Sequence, residues 1–288
     1  MVLEVYMAVY FITDSGSDIL PHEARALGVQ VLPLTVRFGD QEYRDSVDLS
    51  HHAFYEKLVE CDQLPTTSQV PPSQFADALE AVLGPNDQAV VITLSSGLSG
   101  TYQSACIAAM DYPGQVFVVD SLSLAIGQRI LVLRGLELLR CGHSAAEIAA
   151  VLEEEKHRIH VLAMLDTLEY LKKGGRISAA AAVAGRLLSI KPVITMKDGK
   201  VAVIGKARGS KQANNLLRQL VTDCGGIDFD RPLALAYSGL TDTLLQKYIA
   251  DSRELWDGHE DTLAVHTVGC TIGTHAGPGA VAVAFFKM

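Results

Sequence analysis

Short aliphatic and β-branched runs alternate with helical segments through the first half of the chain, and this alternation constrains the fold more than any other feature of the sequence. Strand signals run over Val9 to Thr13, Val29 to Phe38, Val90 to Leu94 and Val116 to Val119. Helices are predicted from Pro21 to just before Gly28, from Ser50 to Cys61 with Ser50 as cap, from Pro72 to Leu83, from Tyr102 onward and from Leu122 to Cys141. Strand and helix in turn imply a mainly parallel sheet with helices on both faces. Such sheets bind ligands beyond the carboxyl ends of their strands.

The strand ends carry the same punctuation. Thr13-Asp14-Ser15, Leu94-Ser95-Ser96 and Val119-Asp120-Ser121 each break an aliphatic run with acids and hydroxyls, which therefore converge on one edge of the sheet. The stretch VVITLSSGLSGTYQSA, from Val90 to Ala105, makes this edge concrete. Its strand-to-helix turn offers free backbone N–H groups beside hydroxyls, a combination suited to a carboxylate or phosphate. Helix capping by Ser99 or Thr101 explains the same residues without a ligand. Gly97-Leu98-Ser99-Gly100 is one residue short of a nucleophile elbow, and neither a phosphate-binding loop nor a dinucleotide fingerprint is present.

After Cys141 the pattern changes. Ser144 and Glu147 stand in capping-box register before a helix to Lys156, and a strand follows over Arg158 to Leu165. Lys197-Asp198-Gly199 separates two strand-like runs, Pro192 to Met196 and Lys200 to Lys206, as a hairpin turn does. A small-residue helix is expected over Ala179 to Leu188, and two βα-like segments close the chain. The division falls near residue 158: residues 1–158 form an α/β/α domain carrying the anion-binding hydroxyls, and 159–288 form an α/β domain with a mixed sheet that completes the site.

Composition removes several classes. The 288 residues carry a formal net charge of −9, against the basic surface that nucleic-acid binding requires. The apolar runs stop well short of the roughly 20 residues of a membrane span, so no stable membrane insertion is expected. The opening MVLEVYMAVYFIT lacks a basic leader and reads as the first strand rather than a signal peptide. Cys61, Cys106, Cys141, Cys224 and Cys270 are scattered without CxxC spacing, which fits reduced thiols and a cytoplasmic protein. His51-His52 and His157/His160 lack ligand spacing, so neither a metal nor another cofactor is expected.

Taken together, several stretches resemble one family, the bacterial DegV proteins, which include the fatty-acid-binding subunits of fatty acid kinase. They are Ile12-Thr13-Asp14-Ser15, Thr67-Ser68-Gln69, Ser95 to Tyr102, Leu165 to Ile177, Ile190-Lys191-Pro192 and Gly273-Thr274-His275-Ala276-Gly277-Pro278-Gly279. They run in family order from near the start of the chain to near its end.

The resemblance implies a two-domain fold, an N-terminal three-layer α/β/α domain and a C-terminal α/β domain, with a long-chain fatty acid in an apolar tunnel. It assigns the carboxylate to the hydroxyls of Thr67 and Ser96, and makes Arg208 and His275, with Arg176, cations near the head group or facing a partner. Arg176 binding nearby helix carbonyls, or His275 satisfied by its own loop, are the structural readings of the same residues. No catalytic residue is expected in the chain itself. The implied partner is a separate ATP-dependent fatty acid kinase subunit that converts the bound acid to an acyl phosphate. Arg208-Gly209-Ser210-Lys211-Gln212-Ala213 is less basic than the family pattern, and Ala125 and Arg129 replace a serine and a glycine. A serine-dependent lipid hydrolase or acyltransferase using Ser96 or Ser99 with His275, an enzyme with its own nucleotide site, and a lipid-sensing regulator are the competing readings.

Overall fold

The computed structural model describes residues 7–178, 190–256 and 258–288. The predicted helix over 179–188 and the first six residues lie outside the described residues. Strands β1 (Val9–Asp14), β2 (Val29–Leu32), β6 (Gln88–Thr93) and β7 (Val116–Asp120) form a four-stranded parallel sheet in the order β2-β1-β6-β7. Helices α3 (Pro72–Val82) and α4 (Thr101–Ala109) share a buried cluster with Ile12 and Val91, while α5 (Ala125–Arg140) and α6 (Ala145–Glu155) share one with Phe11, Val90 and Ile92. The pleat sends alternate residues of each strand to opposite faces, which is why both faces are aliphatic.

Val29 to Phe38 is not one strand. Proline at 33 has no N–H to give a ladder, and the chain leaves the parallel sheet there. It resumes as β3 (Thr35–Phe38) in a separate antiparallel sheet with β4 (Gln41–Arg44) and β5 (Thr66–Ser68). Register pairs Val36 with Tyr43 on one side and with Thr67 on the other. The helix expected from Leu122 begins at Ala125 instead, because Leu122 and Ala125 both take positive φ, 51° and 50°, and Ser95 N donates to Ser123 O at 2.8 Å. That link ties the loop to the Ser95 turn.

The second sheet is mixed, with order β10-β9-β8-β13-β11-β12. Its strands are β8 (Ile159–Met164), β9 (Ile190–Lys197), β10 (Lys200–Arg208), β11 (Ala234–Tyr237), β12 (Val265–Thr267) and β13 (Val281–Phe286). Asp198 and Gly199 turn the β9–β10 hairpin with φ of 49° and 71°, the paired left-handed geometry such turns demand. The capping box at Ser144 is present: Ser144 N donates to Glu147 Oε2 at 2.8 Å and Glu147 N to Ser144 Oγ at 3.4 Å. Helices α8 (Gly209–Asp223) and α9 (Thr243–Asp251) cover the outer face of this sheet through Leu217, Val221, Leu245 and Tyr248.

Helix α5 lies between the two sheets, touching β1 and β6 on one side and β8, β11 and β13 on the other. Two glycines allow this. A Cβ on Gly135 would stand 2.6 Å from the Phe11 ring, and one on Gly127 would stand 2.3 Å from Val161 Cγ2 and 2.1 Å from Ser123 Oγ. Gly127→Ala should therefore push α5 off the mixed sheet and cost about 1–3 kcal/mol. The check is the urea midpoint of the variant read against wild type.

Candidate functional site

The two halves enclose an apolar cavity beyond the carboxyl end of the parallel sheet. Its floor comes from the period of the mixed-sheet strands. Ala282 and Ala284 of β13, with Ala280 just before it, join the inner cluster, whereas Val281, Val283 and Phe285 pack outward; in β11 Ala236 faces in and Leu235 out. Large side chains thus seal the outer helices to the sheet. Small ones, Ala163, Ala236 and Ala282 among them, line a space that α5 and the hairpin do not fill. Ile126 of α5, Ile194 and Met196 of β9 and Leu94 and Leu98 of the β6–α4 turn form the walls.

One end of the cavity is polar. Thr67, from the middle of β5, and His275, from helix α11 (Cys270–Ala276), meet there with Oγ1 and Nε2 2.9 Å apart. Two turns hold the histidine in place. Gly277 ends α11 with a φ of 70°, a conformation open to glycine, and the Tyr170 ring stands where its Cβ would be. A Cβ on Gly174, just past helix α7 (Glu169–Lys173), would come within 2.1 Å of His275 Nδ1. The Glu169-to-Arg176 and Gly273-to-Gly279 stretches are therefore two faces of one contact.

Burial, and then the Arg176 guanidinium, push the His275 imidazole down to about 4. It is neutral at pH 7 and carries one N–H. Nδ1 is buried and has no partner among the described residues. Assigning the proton to Nε2 leaves Nδ1 as a lone pair rather than an unpaired donor. Nε2–H then donates to Thr67 Oγ1, and the Thr67 hydroxyl proton is free to donate into the cavity. Arg176 also borders the cavity; its Nε donates to Leu98 O at 3.2 Å and its NH1 to Gly174 O at 2.7 Å. No carboxylate pairs with it among the described residues, so its charge is available to an anion.

Thr67, His275 and Arg176 border the cavity together; Ser96 and Arg208 are not among the described residues that line it. Ser96 is exposed on the outer side of its turn, where its N–H donates to Asp120 Oδ1 at 3.1 Å. From the same turn, Ser95 Oγ is spent on Gly199 O at 2.6 Å, and Ser99, hydrogen-bonded to Thr101 Oγ1 at 2.9 Å, borders the cavity. Arg208 is exposed at the end of β10, paired with Ile190 of β9. The convergence at the sheet edge rests more on aspartates than on hydroxyls. Asp14 accepts from Leu94 N at 2.8 Å and Gly16 N at 2.9 Å, and Asp120 accepts from Ser96 N and Leu122 N. No metal-binding group of histidine, cysteine and acidic side chains occurs among the described residues, and no described helix is long and apolar enough to cross a membrane.

The model of the DegV family of uncharacterised proteins matches residues 8–288. The chain belongs to the DegV family. A DegV domain-containing protein of Deinococcus radiodurans is 36% identical over 282 residues, spanning 96% of this chain and 98% of its own. Among solved structures, a fatty-acid-binding DegV family protein from Thermus thermophilus superposes with a TM-score of 0.86 at 33% identity, covering 98% of this chain and 100% of that one. DegV of Bacillus subtilis, a fatty acid binding protein, superposes with a TM-score of 0.80 at 30% identity, covering 98% and 100%. The α/β arrangement of a parallel sheet and a mixed sheet is thus that of the DegV proteins.

The small-residue helix expected over 179–188 lies outside the described residues; among those described, helices supply Ala125 and Ala276 to the cavity and strands supply Ala163, Ala236 and Ala282. Their signal was legible as Ala-Val-Ala-Val-Ala over 280–284 and Ala-Leu-Ala over 234–236, a two-residue period of small and large side chains. The state of His275 gives a direct check: its ring carbons should titrate by NMR near pH 4. A midpoint near the ordinary 6.5 would mean that the ring is solvated.

Proposed function

We propose that the chain binds a long-chain fatty acid, tail in the alanine-floored cavity and carboxylate at the Thr67–His275–Arg176 end, and presents that carboxylate to a separate ATP-dependent kinase subunit. The observation that carries this is an apolar cavity ending in one hydroxyl, one neutral histidine and one cation without a carboxylate partner among the described residues. A fatty acid has that same asymmetry. Burial of the tail favours binding by roughly 0.8 kcal/mol per methylene before association costs. The head must be hydrogen-bonded or neutralised once it leaves water. The fatty-acid ligands of the Thermus and Bacillus relatives support the reading.

A carboxylate held by the Thr67 hydroxyl and near Arg176 keeps an oxygen lone pair outside any bidentate clamp. That oxygen attacks the γ-phosphorus of ATP bound to the partner, the bond to the bridging oxygen breaks, and ADP leaves. The product is an acyl phosphate, whose added charge Arg176 would stabilise. The exposed Ser96 turn lies beside this end and is suited to the kinase-facing side. The hydrolase reading lacks its geometry: His275 Nε2 is engaged by Thr67, and Ser99 by Thr101.

Native mass spectrometry of the purified protein, with analysis of its organic extract, should find one long-chain fatty acid per chain. A protein that is empty and takes up no added fatty acid would overturn the binding role. Thr67→Val should weaken fatty-acid binding about tenfold, the loss of one charge-assisted hydrogen bond. Ser96→Ala should leave binding near wild type and slow acyl-phosphate formation with an added kinase subunit. Unchanged acyl-phosphate formation by Ser96→Ala would remove that serine from the kinase-facing role.

A further inference from the structure

Behind the charged wall of the cavity lies a second space. An open groove on the surface is lined by Gly97, Leu98, Arg176, Lys200 and Val201 among others, and three of these, Leu98, Arg176 and Val201, also line the cavity. The same side chains therefore face a buried apolar space on one side and water on the other. The groove wall includes two cations and no acid, in a chain whose formal net charge is −9. Neither Arg176, whose Nε and NH1 go to backbone carbonyls, nor Lys200 pairs with a carboxylate among the described residues. Two cations without counter-charges, side by side in a concave surface, suit an anion.

The root of Lys200 is fixed relative to the Ser95 turn. Lys200 opens β10 directly after the Asp198-Gly199 turn, and Ser95 Oγ donates to Gly199 O at 2.6 Å. A Cβ on Gly97 would stand 2.5 Å from Gly199 O and 3.1 Å from Lys200 Cγ, so the lysine stem lies along the backbone of that turn. An ordinary side chain at 97 would take its path. The residue is exposed, and an anion entering the groove has only water to displace from it.

Conversion of a bound carboxylate to an acyl phosphate replaces its single charge by about two, carried on the phosphoryl oxygens. The apolar lining cannot accept them, and the groove is the charged space that Arg176 opens onto. We propose that the groove is a phosphate subsite in which Lys200 holds the phosphoryl group of the acyl phosphate, with Arg176 between that group and the acyl carbonyl. This rests on the fatty-acid reading of the cavity. A lysine suits the task, being a point charge with three rotatable donors on a flexible stem that can follow the phosphoryl group as it passes from ATP to the acid.

The test compares hexadecanoic acid with 2-oxoheptadecylphosphonic acid, a stable mimic of the acyl phosphate in which a methylene replaces the bridging oxygen, on the delipidated full-length protein by native mass spectrometry. Wild type should retain both. Lys200→Gln should hold hexadecanoic acid as wild type does and the phosphonate about five- to tenfold more weakly, the loss of one charge-assisted hydrogen bond. Lys200→Arg, which restores the charge, should recover most of that loss. With an added kinase subunit, Lys200→Gln should lower kcat for acyl-phosphate formation and leave KM for the loaded protein near wild type. Equal retention of the phosphonate by wild type and Lys200→Gln would overturn the inference. So would a raised KM at unchanged kcat, which would make Lys200 a docking contact for the kinase, or a wild type that retains hexadecanoic acid and rejects the phosphonate. A wild type that retains neither compound would instead sink the fatty-acid reading itself, so the two failures are distinguishable.

Discussion

The N-terminus of helix α11 is held by carboxylates more than 200 residues earlier in the chain, and the site depends on that grip. Asp45 accepts from the backbone N–H groups of Cys270 and Thr271 at 3.2 and 3.1 Å, and Asp18 accepts from Gly269 N at 3.0 Å. Ser15 Oγ donates to the same Asp45 at 3.1 Å and itself accepts from Leu34 N at 3.0 Å. The first strand's end, the antiparallel sheet and the last helix are thereby one buried network. Burial and the neighbouring Asp45 carboxylate push Asp18 well up, the cost of packing acids closely in a dry interior. Helix-end N–H groups and a positive dipole end offset part of that cost. Without the network, His275 would not meet Thr67.

Helix α5 performs the corresponding task on the other side. It is the layer shared by both sheets, and Gly127 and Gly135 set how closely each sheet approaches it. The alanine face of the mixed sheet then leaves a space that the helix does not fill. A cavity of this kind is not a packing defect. It follows where Ala163 of β8, Ala236 of β11 and Ala282 of β13 stand on the inner face while Leu162, Leu235 and Val283 beside them pack outward.

Much of the architecture was readable in advance for local reasons. Alternating strand and helix signals gave the parallel sheet, the Ser144–Glu147 pair gave a helix start, and Asp198-Gly199 gave a hairpin. The failures also have local causes. Pro33 split a strand that hydrophobicity alone made continuous, and β4 and β5 are too short and polar to show a period. Thr67 was marked by resemblance, not by any strand signal.

The sequence by itself determined most of the elements, the family and the motifs, because propensity, capping and turn chemistry act over a few residues. It also placed Thr67, His275 and Arg176 among the candidates. Only the tertiary structure decided which candidates meet. Thr67 and His275 lie 208 residues apart and join at 2.9 Å, while Ser96, in a turn whose neighbours Ser95 and Ser99 point inward, faces out. The direction of a turn residue, the face of a seven-residue helix and the emptiness between two sheets are set by how distant elements pack. No local pattern encodes them.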